Sequence, residues 1–159
     1  MADFRTDKEI LDQFLGSIRL DIIASSDQQG RNATGKAKAG LTVETGFTSG
    51  KLIDKAGYTE WGWEYGRAPG RFPPIEAISR WIDAKGIIPQ DISKKSLAFL
   101  IARKIAREGT KLFRQGEPSG VITDNITADR VASLQQVFAD KYSSLIMSEM
   151  IRGFTTIQS

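Results

Sequence analysis

The chain has 159 residues, of which 40% are apolar, and a net charge of +3, which suits a single domain over residues 1–159 with one core. It contains neither cysteine nor histidine, so disulfides, thiolate and imidazole metal sites, and cysteine or serine–histidine catalysis are excluded. We therefore expect no enzyme activity, no catalytic residue, no cofactor and no metal. The start does not resemble a signal peptide and no apolar run suits a membrane span, so we expect a soluble protein made in a cytoplasm.

The first predicted element is an amphipathic helix over residues 3–25. Its apolar residues recur at helical spacing, and Thr6 with Glu9 has the pattern of a capping box. Residues 26–40 are polar and punctuated by glycine, which predicts an exposed loop.

A β-hairpin is predicted next. Leu41, Val43, Thr45 and Phe47 alternate with smaller or polar residues, as in a half-buried strand. A turn follows at residues 48–50, and a second strand or strand pair is predicted from about residue 52 to residue 65.

Aromatic residues alternate at the end of this second strand. In a strand, Trp61, Trp63 and Tyr65 would share one face. We predict that these three side chains and Trp81 form the core between the sheet and a helix.

The aromatic residues are followed by a turn rich in glycine and proline. Arg67 and Arg71 flank this turn, and an unpaired buried charge costs several kcal/mol. We therefore expect their guanidinium groups to reach carboxylates, either of Glu60 or Glu64 or of another chain.

Three helices are predicted in the rest of the chain. They cover residues 74–84, residues 93–113 and, after a connector at 114–126, residues 127–152. Ala98, Ala102 and Ala106 form a small-residue row that lets another element approach the second of them closely. The order of elements predicts an α+β fold in which a small antiparallel sheet packs against the N-terminal helix and two to three further helices.

Positive charge is concentrated in residues 94–114, which hold seven basic residues and one acidic residue, or +6, whereas the remainder carries −3. The candidate basic face consists of Arg103, Lys104, Arg107, Lys111 and Arg114. Such a helix could follow the phosphates of DNA, or it could be a solvated face or contact an acidic partner. A small DNA-binding protein that uses residues 94–114 therefore remains an alternative function.

Several motifs occur together between residues 40 and 114. They are Tyr58, the run Glu64-Tyr65-Gly66-Arg67, the pairs Pro69-Gly70, Pro73-Pro74, Trp81-Ile82 and Lys85-Gly86, and the run from Ala98 to Thr110. In this combination the chain resembles the neck and tail-completion proteins of long-tailed bacteriophages. The family often has Gly-Thr where Gly66-Arg67 stands here, and the resemblance does not extend past residue 115.

The resemblance implies a structural virion protein, made in the host cytoplasm and located at the neck of the phage. Copies would form a ring that joins the head connector to the tail and continues the DNA channel, with connector and tail proteins as neighbours, contact with DNA in the lumen and no membrane. Rings form when one patch meets a different patch on the next copy. The residues expected at such a subunit interface are Glu64, Arg67, Pro69, Gly70, Arg71 and Phe72, together with the basic helix.

Overall fold

A computed structural model describes residues 5–31, 33–55 and 59–157, and the side chains of residues 59–61 and 155–157 lie outside the description. In chain order the elements are α1 (Asp7–Gln28), α2 (Lys36–Gly40), β1 (Leu41–Thr45), β2 (Gly50–Asp54), α3 (Thr59–Glu64), α4 (Ile75–Ala84), α5 (Lys94–Glu108), α6 (Lys111–Gln115), a 3-10 turn (Thr123–Asn125) and α7 (Ala128–Ile157). The predicted α+β class is confirmed. No helix within the described ranges has both the length and the apolar composition to cross a bilayer.

The predicted first helix is confirmed as α1. The Thr6 hydroxyl accepts a hydrogen bond from the Glu9 backbone N–H at 3.2 Å, and the Glu9 carboxylate accepts one from the Thr6 backbone N–H at 2.6 Å. This capping box satisfies donors that a helix start leaves without partners. Further along, Ile18, Ile22 and Ile23 are buried on the face of α1 that forms the core.

The predicted loop at residues 26–40 is wrong at both ends. Helix α1 continues to Gln28, and Ser26 is buried because its hydroxyl donates to the Ile23 carbonyl at 2.9 Å. Residues 36–40 form α2, from which Ala37 packs against the core. The polar composition of residues 26–40 was interpreted as a loop. A serine can, however, lie inside a helix, because its hydroxyl can donate to a carbonyl of the preceding turn.

The predicted hairpin is confirmed in β1 and β2, which pair antiparallel with Val43 opposite Leu52. The extension of the second strand to residue 65 is wrong, because α3 occupies residues 59–64. Trp63 and Glu64 are both buried, at 5% and 2% exposure. Neighbouring residues of a strand face opposite sides, so a strand could not bury both against the same core.

The aromatic core predicted from alternation is correct for one residue and wrong for two. Trp63 joins Ile18, Ile22, Leu41 and Val121 in the core. Tyr65 and Trp81, by contrast, are 42% and 37% exposed. The prediction for Trp61 falls on a side chain outside the described residues.

Helices α4 and α5 pack together through Ile82, Ala98 and Ala102, which are buried. The predicted single helix 93–113 is wrong, since α5 ends at Glu108 and α6 begins at Lys111. Gly109 separates the two helices with φ +77°, and a β-carbon at this residue would lie 2.7 Å from the Arg67 carbonyl oxygen. Only glycine adopts this conformation readily, and here the space is also closed.

The last helix, predicted for residues 127–152, is confirmed and begins at Ala128. Lys141 of α7 contacts Asp7 at 2.6 Å, and Arg130 contacts Asp21 at 2.7 Å. Since the later residue of α7 meets the earlier residue of α1, the two helices run antiparallel.

Candidate functional site

The segment after α3 forms a corner, residues 66–72, that is fixed to the junction of α5 and α6. The Arg67 backbone N–H donates to the Thr110 hydroxyl at 2.9 Å, and the Thr110 N–H donates to the Arg67 carbonyl at 2.9 Å. The Gly70 N–H donates to the Ala106 carbonyl at 2.8 Å. Gly66, with φ +75°, lies so close to α6 that a β-carbon would be 2.7 Å from the Phe113 nitrogen. The corner is therefore a rigid platform.

Five of the six residues predicted for a subunit interface lie on this corner and are exposed: Arg67, Pro69, Gly70, Arg71 and Phe72. The Phe72 ring packs 5.6 Å from the ring of Phe99 on α5. The Arg67 guanidinium does not reach Glu64 but donates to the Arg71 carbonyl at 2.6 Å. For Arg67 the expected partner on Glu64 is wrong, because that carboxylate has other partners. The side chain of Glu60, the other carboxylate expected in this chain, lies outside the described residues.

The sixth predicted interface residue, Glu64, is a core residue. Its carboxylate accepts hydrogen bonds from the Ile122 backbone N–H at 2.8 Å and from the Thr123 hydroxyl at 2.6 Å. With 2% exposure, Glu64 has no surface to offer a neighbouring subunit. It instead ties α3 to the segment before α7, because a buried carboxylate must be hydrogen-bonded.

The predicted basic residues Arg103, Lys104, Arg107, Lys111 and Arg114 are all exposed, but they are divided between α5 and α6. Arg114 pairs with Glu108 at 2.5 Å. Lys104, Lys111 and Arg114 border one cavity. The basic residues therefore lie on two helices that are separated at Gly109. They do not form one straight row that could run along the phosphates of DNA.

That cavity is a groove of about 440 Å³, here named the α4–α5 groove. Ile78 and Trp81 of α4 and Ile101 and Ile105 of α5 form its apolar surface, and the three cations lie along its rim. Trp81 was predicted to be in the core, and its exposed part faces this groove.

A second apolar surface lies on the last helix. We name residues 145–154 of α7 the arm. Its exposed large apolar side chains are Leu145, Ile146, Met147, Met150, Ile151 and Phe154, and Phe154 is 68% exposed. The helix predicted for residues 127–152 includes all of these residues except Phe154, and no exposed apolar face was predicted for it.

Leu145, seven residues after Phe138, still lies within about 20° of it around α7, but the later apolar residues of the arm turn to another face. Met150 is sixteen residues after Leu134, and Phe154 is sixteen after Phe138, so each pair is about 160° apart around the helix at 3.6 residues per turn. Lys141, which faces α1, is buried. This change of phase was the signal in the sequence that could have revealed the arm.

The base of the arm is held to α1 by one carboxylate. Asp7 accepts hydrogen bonds from Lys141 and from the Tyr142 hydroxyl. The bond from Lys141, followed by that from Tyr142, lowers the pKa of Asp7. The same contact with the Asp7 carboxylate raises the pKa of Tyr142.

Comparison with known proteins finds no matching family model, no matching curated protein and no matching solved structure.

Proposed function

We propose that this chain is a structural subunit of a tailed bacteriophage and assembles with its own copies into a ring at the head–tail junction. Such a ring joins the connector to the tail and continues the DNA channel. The resemblance of residues 40–114 to neck and tail-completion proteins supports the class of protein.

The observation that carries assembly is the exposed apolar face of the arm. A row of large apolar side chains on a helix is normally buried against another element, and exposed apolar patches mark interaction sites. Here Met150, Ile151 and Phe154 are each more than half exposed. A subunit that completes itself against its neighbours accounts for this surface.

The rigid corner supports the same function. Its backbone is fixed by Thr110 and Ala106, so the segment that carries Arg67, Arg71 and Phe72 has one backbone arrangement before any partner binds. A preorganised surface loses less conformational entropy on association. We assign this corner to the contact with a neighbouring subunit or with a connector or tail protein.

The alternative of a DNA-binding protein has less support, because α5 ends at Glu108 and the cations Lys111 and Arg114 belong to another helix. If DNA binding is the principal function, the protein shifts duplex DNA in a gel at low salt, and the affinity falls steeply as salt rises. The ring proposal expects weak or no shift by the free protein.

Electron microscopy of intact particles tests the proposal. We expect density for this chain as a symmetric ring between head and tail, identified by fitting α1, α4, α5 and α7. Particles that lack the chain altogether would refute the proposal, and a salt-sensitive DNA shift would then favour the alternative.

A further inference from the structure

We propose that the arm of one copy packs into the α4–α5 groove of a neighbouring copy. The inference rests on the proposed ring for its biological setting, although the contact itself can be tested without a virion. It names the two different patches that a closed ring of identical subunits requires.

The arm extends beyond the start of α1. Because α1 and α7 are antiparallel and Tyr142 contacts Asp7, the first residue of α1, residues 143–157 continue past the start of α1. At 1.5 Å per residue this extension is about 22 Å long. Helix α7 is continuous over Ala128–Ile157, so the arm cannot fold back into the groove of the same chain without breaking the helix.

The arm has the pattern of a helix that binds in a groove. Ile146, Met150 and Phe154 occupy positions i, i+4 and i+8, and Met147 and Ile151 flank them on the same face. Helices that insert into apolar grooves use anchors at this spacing. The α4–α5 groove offers the matching surface, since Ile78, Trp81, Ile101 and Ile105 line it.

The charges of the two surfaces are complementary. Glu149 lies at the edge of the apolar face of the arm, about 60° from Ile146, whereas Arg152 lies on the opposite side, about 160° from Phe154. Glu149 forms an exposed ion pair with Arg152 at 2.8 Å, as Arg114 does with Glu108, and such surface pairs exchange partners at little cost. An arm seated in the groove brings Glu149 to the side where Lys104 and Lys111 line it, and leaves Arg152 toward solvent.

The absence of cysteine from the chain permits a specific cross-linking test. One batch of protein carries Met150→Cys in the arm, and a second carries Lys104→Cys at the rim of the groove. The two are mixed over a range of concentrations, up to the highest at which the protein stays soluble, and treated with a short bifunctional maleimide. We expect a mixed cross-linked pair as the main product, and little product when the arm variant is paired with Ser133→Cys, an exposed position on the first half of α7.

Charge reversal gives a second, independent measurement. With Met150→Cys and Ile101→Cys as the reporters, Glu149→Lys in one copy or Lys111→Glu in the other should lower the cross-linking yield about fivefold, as loss of one surface ion pair can do. Combining both reversals should restore part of the yield. Circular dichroism of each variant establishes that the exposed substitutions leave the fold intact.

The outcomes separate the inference from the proposed function. A main product linking two arm cysteines, or no product above the Ser133→Cys control at any concentration, overturns the inference, and the ring at the neck can still be observed by microscopy. A mixed cross-link together with absence of the chain from virions supports the inference and refutes the proposed function.

Discussion

Lys141 and Asp7, 134 positions apart in the sequence, form an ion pair in which Nζ lies 2.6 Å from Oδ1. The Lys141 side chain is only 10% exposed and that of Asp7 is 20% exposed. This pair fixes the last helix on the first and so determines the point from which the arm extends. Removing one partner of a partly buried ion pair lowers the stability of the protein, because the remaining charge stays buried.

Asp7→Asn is therefore expected to lower the free energy of unfolding, because the Lys141 ammonium loses its carboxylate while it remains largely buried. The expected decrease in melting temperature is several times that caused by the matched control Asp140→Asn. Asp140 is the residue before Lys141 on α7, and among the described residues the one hydrogen bond given for its carboxylate comes from exposed Gln136. Thermal unfolding followed by circular dichroism measures both. Equal, small decreases would show that the Lys141 charge is adequately solvated.

Acid is expected to destabilise the protein through the first turns of α1. Lys141 lowers the pKa of Asp7, the Thr6 cap lowers the pKa of Glu9, and Lys8 lowers the pKa of Asp12. For each group the folded pKa is below the unfolded value, so the unfolded chain binds more protons. The stabilisation is complete above the ordinary carboxyl pKa of about 4 and is lost as the pH falls below it.

Urea unfolding at pH values from about 7 down to about 3 measures this dependence. The free energy of unfolding should be nearly constant at the upper end and fall at the lower end. Asp7→Asn should show a shallower fall than the wild-type chain, because one of the three carboxylates no longer titrates. Parallel curves for the two proteins would contradict the assignment of Asp7.

Glu64→Ala is expected to destabilise the fold by about 2–4 kcal/mol, because it leaves the Ile122 N–H and the Thr123 hydroxyl without partners and removes buried atoms. Glu64→Gln keeps an acceptor and should cost less. Chemical denaturation of both variants measures the difference. If Glu64→Ala were as stable as the wild-type chain and affected only assembly, the core assignment would be wrong.

Gly66→Ala and Gly116→Ala form a matched pair. Both glycines have positive φ, +75° and +77°, but a β-carbon at Gly66 would collide with α6 whereas at Gly116 it meets open space. We expect Gly116→Ala to cost about 1 kcal/mol from backbone strain, and Gly66→Ala to cost at least about 2 kcal/mol more because the corner must shift. If urea unfolding gave equal losses of unfolding free energy for the two variants, α6 would be able to move and accommodate the β-carbon at residue 66.

Arg67→Glu is expected to weaken association while the monomer remains folded. Its guanidinium is exposed and its only hydrogen bond given by the described residues is to the Arg71 carbonyl, so the fold does not depend on its charge. Lys51→Glu, an exposed position on β2, changes the net charge equally and serves as control. Sedimentation velocity and circular dichroism measure the two effects. If Arg67→Glu unfolded the monomer and Lys51→Glu did not, Arg67 would stabilise the fold and its assignment to an interface would be wrong.

Local patterns in the sequence were sufficient for α1, the β1–β2 hairpin and α4. The Thr6–Glu9 capping box, the alternation from Leu41 to Thr45 and the small-residue row on α5 all act over a few residues, within which hydrogen bonds and side-chain faces are determined. The structure confirms α1, the hairpin and α4, and it also confirms α7.

Tertiary contacts decided the rest. Residues 59–64 form a helix in which Trp63 and Glu64 are both buried, and the partners of Glu64 are Ile122 and Thr123, 58 and 59 positions later. At the break between α5 and α6, a β-carbon at Gly109 would lie 2.7 Å from the Arg67 carbonyl oxygen of the distant corner. The composition of the sequence alone determined that neither disulfides nor histidine chemistry are available, and its local periodicity determined α1, α4 and α7. Which faces are buried was decided only when segments far apart in the chain met, because burial is a property of the contacting pair.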